Sequence, residues 1–177
     1  QLKKNILAVR SEVTFANILA GRPHFGDIHN LLADSGFQLL NMDYSGSGVA
    51  ASDFTLPGKY GQLLSTDATW IKAPEKLEEL PEYEYGRSLI LLANFMFNNS
   101  ATDVAMWLLI KSYREHKTIF SPFLETSVME SLRLLVAKLI KDLSYVPGGK
   151  HEELAKWYER IFCKEFPPNF EYYYHFK

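Results

Sequence analysis

The sequence has little cysteine and almost no net charge. Cys163 is the only cysteine among 177 residues, so an intramolecular disulfide framework is excluded and a reduced, cytoplasmic location is expected. Lysine and arginine together number 19, and aspartate and glutamate 21, for a formal net charge of −2. A chain so balanced has no bulk electrostatic attraction for nucleic acid or for an anionic membrane, and we predict neither as a partner.

Long apolar runs are missing as well. The longest, at 89–97, is interrupted by Asn94 and is shorter than the roughly 20 apolar residues that cross a bilayer, so no membrane span is predicted. The chain starts at Gln1, and Lys3 and Lys4 lead directly into a predicted strand, without the apolar core of a signal peptide. We therefore expect no signal peptide, and we interpret the chain as starting inside a structural element.

Clusters of metal ligands and activated nucleophiles are not apparent. The five histidines are scattered, and His24 and His29 are five positions apart, which does not place two ligands on one helix face. We predict no metal site. Cys163 follows Phe162 in an apolar helix and has no evident base, so it is interpreted as a packed thiol.

The first part of the chain carries alternating strand and helix signals. Apolar and polar residues alternate in three segments, as in half-buried strands. Asp27 is the predicted N-cap of an intervening helix, and Gly36 suits the left-handed position that ends it. The predicted elements are strands at 6–15, 38–44 and 62–71 and a helix at 27–35.

The second part has a helical pattern throughout. Ser100 and Asp103 are spaced as in a capping box, and Ser121 followed by Pro122 is typical of an N-cap and first helical residue. The predicted helices are 87–97, 100–113, 121–143 and 152–166. An aromatic tail at 169–177 is expected to pack or to meet a partner. These patterns divide the chain into 1–74 and 75–177, with homo-oligomerisation through the C-terminal helices or the tail as a further expectation.

The first part resembles the C-terminal half of the FkbM-family methyltransferases. The resemblance is carried by Gly-Arg-Pro-His-Phe at 21–25, Ser-Gly-Phe at 35–37, Gly-Gln at 61–62, Asp-Ala at 67–68 and Lys-Ala-Pro at 72–74. It implies that the three strands are the fifth, the sixth and the antiparallel seventh of a Rossmann-like sheet, with the seventh inserted between the other two. The predicted fold class is thus α/β: a partial Rossmann-like methyltransferase sheet of about three strands, mixed in direction, followed by a mainly α-helical region.

The family uses S-adenosylmethionine to methylate hydroxyl groups. The resemblance therefore implies the C-terminal portion of an O-methyltransferase acting on a small-molecule or glycan hydroxyl. No cofactor residue is carried over, because Ser45–Gly48 is the nearest glycine-rich loop and no helix pattern follows it. Whether the chain is itself an enzyme stays open, and the chain alone is expected neither to bind the cofactor nor to be active.

Two non-catalytic alternatives also remain. The apolar stripe at 124–143 and the aromatic tail favour a helical interaction or oligomerisation module on a small α/β base. A degenerate methyltransferase with a structural role fits the same residues.

Four residues are candidates for an acceptor site. His24, as a catalytic residue, and Arg22, as a substrate contact, follow the first strand, where ligands collect in α/β sheets. Asp67 lies within the third strand and is a candidate general base, and Glu12 on the first strand is a candidate substrate contact. The alternative is that these residues have only a structural role. In that case His24 and Arg22 belong to a turn that sets the start of a helix, and Asp67 and Glu12 lie on a solvated sheet face.

Overall fold

The computed structural model describes residues 6–15, 21–43, 64–144 and 151–164. It divides into two compact units, residues 1–76 and 77–177. A short helix at Pro74–Glu78 contains this division, close to the predicted domain boundary after residue 74. The Ser45–Gly48 loop, the start of the predicted third strand and the aromatic tail lie outside the described residues.

Unit 1 contains a three-stranded sheet and one long helix. Its elements are β1 (Ala8–Thr14), α1 (Phe25–Asp34), β2 (Phe37–Asp43) and β3 (Ser65–Lys72). The strand order is β1-β3-β2, and β3 is antiparallel to both neighbours, so β1 and β2 run in the same direction. The predicted insertion of the third strand is confirmed. The prediction of a mixed sheet is wrong. Although β1 and β2 run in the same direction, β3 lies between them, so every pair of neighbouring described strands is antiparallel.

One face of this sheet forms the core of unit 1. Val13 lies opposite the buried Thr66, and Val9 lies opposite Trp70, so the core-facing positions of β1 meet those of β3. Trp70 is completely buried, and the apolar side of α1 covers the same face. The cluster consists of Val13, Phe37, Ala68 and Trp70, with Val9, Phe25, Ile28, Leu32, Leu39 and Met42 packed against it.

The two ends of α1 differ in how well local sequence predicts them. Gly36 has a φ of +81°, and its N–H donates to the carbonyl of Ala33 at 2.9 Å, which confirms the predicted left-handed stop. The predicted N-cap is wrong. The helix begins two residues earlier than Asp27, whose carboxylate instead accepts a hydrogen bond from the backbone N–H of His24 at 2.9 Å.

Unit 2 is helical, as predicted. It contains the end of α2 (Pro74–Glu78), then α3 (Glu82–Asn98), α4 (Thr102–Glu115), a 3₁₀ turn (Ser121–Phe123), α5 (Ser127–Ser144) and α6 (His151–Phe162). Helix α3 packs against α4 and α5, and α6 packs against α5 and α4. No helix in the described ranges is long and apolar enough to cross a membrane.

Two predicted helix starts in unit 2 are wrong. Ser100 has a φ of 59° and lies in the turn that ends α3, so Ala101 precedes α4 and no Ser100–Asp103 capping box forms. Ser121 opens only the 3₁₀ turn. Helix α5 starts after Thr126, whose hydroxyl accepts a hydrogen bond from the N–H of Met129 at 3.3 Å.

The end of α6 also corrects a prediction. The helix ends at Phe162, and Cys163 adopts a φ of 51° and is exposed, so it is not a packed thiol. Phe162 is the buried residue of this pair, because the left-handed turn directs the next side chain away from the core. The predicted continuation of this helix to residue 166 is therefore wrong at residues 163 and 164, which are described and not helical; residues 165 and 166 lie outside the described residues.

Candidate functional site

The sheet of unit 1 brings three carboxylates into one row. Glu12 lies opposite Asp67, and Asp67 lies opposite Asp43, so the row crosses all three strands on the face away from the core cluster. Glu12 and Asp43 are near the carboxyl ends of β1 and β2. The structure therefore places two of the four predicted site residues side by side.

An arginine on β1 neutralises part of this carboxylate row. Arg10 donates a hydrogen bond from Nη2 to Asp67 Oδ2 at 3.0 Å, and the same nitrogen lies 3.6 Å from Asp43 Oδ2. The three side chains are between 43% and 63% exposed, so water screens both the attraction and the repulsion. Like charges on directly opposed strand positions destabilise a sheet, and Arg10 offsets that effect.

The arrangement has hydrogen-bonding capacity for a hydroxyl group. An ionised carboxylate accepts at both oxygens, and the described contact with Arg10 uses Oδ2 of Asp67. A hydroxyl group can donate to a carboxylate of the row and accept from a guanidinium. The row can therefore hold a hydroxyl compound, and a carboxylate in this position can act as a general base.

Arg22 and His24 lie elsewhere in unit 1. Arg22 is exposed on the turn before α1, and none of the described ion pairs or hydrogen bonds connects it to the carboxylate row. His24 is the residue before α1, and its N–H is held by Asp27. The structural interpretation of these two residues, as a turn that sets the start of the helix, matches their positions.

His29 contributes to the core face of the sheet. The indole N–H of the buried Trp70 donates to Nδ1 of His29 at 3.3 Å. Phe25 stacks on His29 at 5.4 Å and on Trp70 at 6.1 Å between ring centroids. Within the described ranges, no group of three or more His, Cys, Asp and Glu side chains could hold a metal ion.

Sequence reasoning missed Arg10 and Asp43. The two-residue period of β1 was a sufficient signal to put Arg10 on the face of Glu12. No such signal existed for Asp43, because its position beside Asp67 depends on the register of β2 against β3, which includes an irregularity between Leu39 and Asn41.

The start of α1 does not form a glycine-rich cofactor cradle. A cofactor cradle of the glycine-rich type needs free backbone N–H groups at a helix N-terminus behind a strand. At the start of α1, the turn contains Pro23, which has no N–H, and the carboxylate of Asp27 already binds the N–H of His24.

Comparisons of the chain with protein-family models, with curated proteins and with solved structures gave no match.

Proposed function

We propose that the chain is the C-terminal portion of an S-adenosylmethionine-dependent O-methyltransferase of the FkbM type. One observation carries the proposal: β3 is antiparallel and lies between two strands that run in the same direction and are separated in the chain by helix α1. The resemblance implies this order for the last three strands of the Rossmann-like sheet. The left-handed Gly36 between α1 and β2 supports the same assignment.

In this proposal the carboxylate row belongs to the acceptor pocket. Asp67 accepts the hydrogen of the acceptor hydroxyl, and Arg10 holds Asp67 in place through the 3.0 Å hydrogen bond. Methyl transfer depends on how the acceptor oxygen is positioned, and a neighbouring carboxylate adds the capacity to take up its proton. The cofactor supplies the methyl group and is bound by another part of the enzyme.

Calorimetry with S-adenosylmethionine tests the assignment. The chain 1–177 is expected to give no binding heat, whereas the protein extended by any residues that its coding sequence places before Gln1 is expected to bind. Binding by the chain alone would contradict the proposed division of labour. An extended protein that does not bind would contradict the methyltransferase assignment.

The role of the row is tested in the extended protein. Asp67→Asn is expected to reduce methyl transfer to a hydroxyl acceptor by about a hundredfold, the lower end for a lost general base, with unchanged cofactor affinity. Asp34→Asn, at the exposed end of α1, is the matched control and should retain activity. Equal activity of both variants would exclude Asp67 from the reaction.

A second candidate is a non-catalytic interaction or oligomerisation module. The observation in its favour is that Trp107 on α4 is 53% exposed, since tryptophan is enriched in the centres of protein interfaces. Light scattering after size exclusion tests it. A homo-oligomer that Trp107→Ala dissociates would support the module, and a monomer would exclude self-association through this surface.

A further inference from the structure

Unit 2 contains a groove between α4 and α6 that no part of the proposed reaction uses. Its volume is about 370 Å³, within the range of small-molecule sites. Its lining combines aromatic rings with charges of both signs. The residues that matter are Trp107, Lys111, Arg114 and Glu115 on α4 and Glu153 and Trp157 on α6.

The α6 side of the groove is preorganised around Trp157. This indole is only 9% exposed, and Tyr113 packs its edge against it at 6.2 Å between centroids. The guanidinium of Arg114 lies 4.8 Å from the centre of the Trp157 ring, and that of Arg160 lies 4.9 Å from it. Stacking restricts the guanidinium of Arg114, so little further entropy is lost when it binds an anion.

The α4 side of the groove presents a flat aromatic surface. Trp107 is 53% exposed, and Lys111 lies 5.9 Å from the centre of its ring. The ammonium of Lys111 is bound by Glu78 at 2.6 Å and lies 3.9 Å from Glu115. The hydrogen bond to Glu78 raises the pKa of Lys111, which keeps this cation charged. The charge of Lys111 is therefore already balanced by Glu78 and Glu115.

Two charged residues of the lining, Arg114 and Glu153, are available to a ligand. Arg114 has the Trp157 ring as its neighbour, but within the described residues neither Arg114 nor Glu153 makes an ion pair or a side-chain hydrogen bond, with each other or with a third residue. The groove thus offers five guanidinium donors, one carboxylate and an exposed indole to a ligand.

We propose that this groove binds a small zwitterion with an aromatic body, an aromatic amino acid or a short peptide. Its carboxylate pairs with Arg114, its ammonium pairs with Glu153, and its ring packs on Trp107. A neutral sugar would form an ion pair with neither Arg114 nor Glu153, and inorganic phosphate would form one with Arg114 but not with Glu153. The site shares no residue with the carboxylate row, so its test is independent of the methyltransferase proposal.

Three matched probes test the contributions of the ligand's carboxylate and ammonium one at a time. They are L-phenylalanine, L-phenylalanine amide, which lacks the carboxylate, and N-acetyl-L-phenylalanine, which lacks the ammonium. Dissociation constants come from the NMR signals of the indole N–H groups of Trp107 and Trp157, and from Trp157 alone in the variant that lacks Trp107. Each blocked probe is expected to bind about fivefold more weakly than L-phenylalanine, the effect of one exposed ion pair. L-phenylalanyl-L-alanine, measured in parallel, distinguishes a free amino acid from a peptide by which of the two binds more tightly.

Variants assign the charges to residues. Arg114→Gln should weaken L-phenylalanine but leave the amide unchanged, and Glu153→Gln should weaken L-phenylalanine but leave the N-acetyl derivative unchanged. Trp107→Ala should weaken all three, and Leu134→Ala, 38% exposed on α5, is the control that should weaken none. Three outcomes would overturn the proposal. They are equal affinity for the three probes, tighter binding of methyl glucoside or inorganic phosphate than of L-phenylalanine, and no change in the Trp107 signal with any probe.

Discussion

Glu12 and Asp67 lie directly opposite each other on the neighbouring strands β1 and β3. Two carboxylates in this relation repel each other, and Asp43 extends the row on the other side of Asp67. Arg10 is the cation that contacts Asp67 and Asp43. The row lies at the exposed end of a sheet face on which Thr69 and Ile71 are buried, and Arg10 offsets its repulsion. Substitution of Arg10 is therefore the direct test of this interaction.

Arg10→Ala is expected to destabilise unit 1 by about 0.5–1 kcal/mol at low salt, because the carboxylates then lose the counter-charge that Arg10 supplies. At about 1 M salt the loss should shrink, since exposed charges are screened. Urea unfolding followed by the NMR signal of the Trp70 indole measures the effect. Arg22→Ala, on the exposed turn, is the control; a loss in both variants, or one independent of salt, would contradict the interpretation.

Gly36 and Gly26 form a matched pair for backbone conformation. Gly36→Ala is expected to cost about 1–2 kcal/mol, because its φ is +81° and a new Cβ would lie 3.1 Å from Lys76 Cγ. Gly26→Ala should stabilise by about 0.5–1 kcal/mol, because Gly26 is inside α1 and its Cβ would have nothing within 4 Å. Thermal unfolding measures the melting temperature, which should fall in Gly36→Ala and rise in Gly26→Ala. Equal shifts in the two variants would contradict the prediction.

A buried hydrogen bond joins α3 to α4 in unit 2. The hydroxyl groups of Tyr85 and Ser112 lie 3.1 Å apart, and both residues are buried. Tyr85→Phe or Ser112→Ala leaves one buried hydroxyl unpaired and should cost about 1–3 kcal/mol. The double variant should cost less than the sum, because no orphaned group remains. Denaturant unfolding of the parent, the two single variants and the double variant gives a double-mutant cycle. If the losses in the free energy of unfolding are strictly additive, the two hydroxyl groups do not interact.

Glu130 on α5 gives unit 2 a predicted dependence on pH. Its carboxylate accepts hydrogen bonds from Arg133, one of them at 2.7 Å, and these bonds hold the pKa of Glu130 below its usual value of 4.5. A carboxyl whose pKa is lowered on folding stabilises the protein above its unfolded pKa. That stability is lost as the pH falls through the folded pKa.

Glu130→Gln should therefore be less stable than the parent above about pH 4.5, with a difference that shrinks as the pH falls through the lowered pKa of Glu130. Urea unfolding followed at the Trp157 indole measures it across this range. Glu125→Gln, exposed in the turn before α5, is the control and should show no such trend. A difference for Glu130→Gln that stays constant with pH would exclude the linkage.

Much of the fold followed from local sequence. The two-residue period of β1 and β3, the left-handed glycine after α1 and the apolar stripes of the later helices were sufficient to predict three strands and a helical remainder. These signals are local, because the backbone conformation of Gly36 or the face of Val13 depends on a few neighbouring residues. The insertion of β3 was predicted by resemblance, and the structure has that order.

Helix starts were predicted less well. Asp27, Ser100 and Ser121 each have the chemistry of an N-cap, yet His24, Ala101 and Thr126 precede the observed helices. Ser100 shows the reason: it completes the turn that ends α3, so the end of one helix decides where the next begins. Several hydroxyl and carboxylate residues can cap a helix, and tertiary packing selects among them.

The sequence by itself determined the three strands and most of the helices, where α1 stops, and that Glu12 and Asp67 carry charge on strands; it did not predict α2 or the first turn of α3. Only the tertiary structure decided that these two carboxylates are neighbours, that Arg10 bridges Asp67 and Asp43, and that Trp107 and Trp157 line one groove. The physical reason is distance along the chain. Strand register and helix packing bring together residues about 50 positions apart, and no local propensity specifies that pairing.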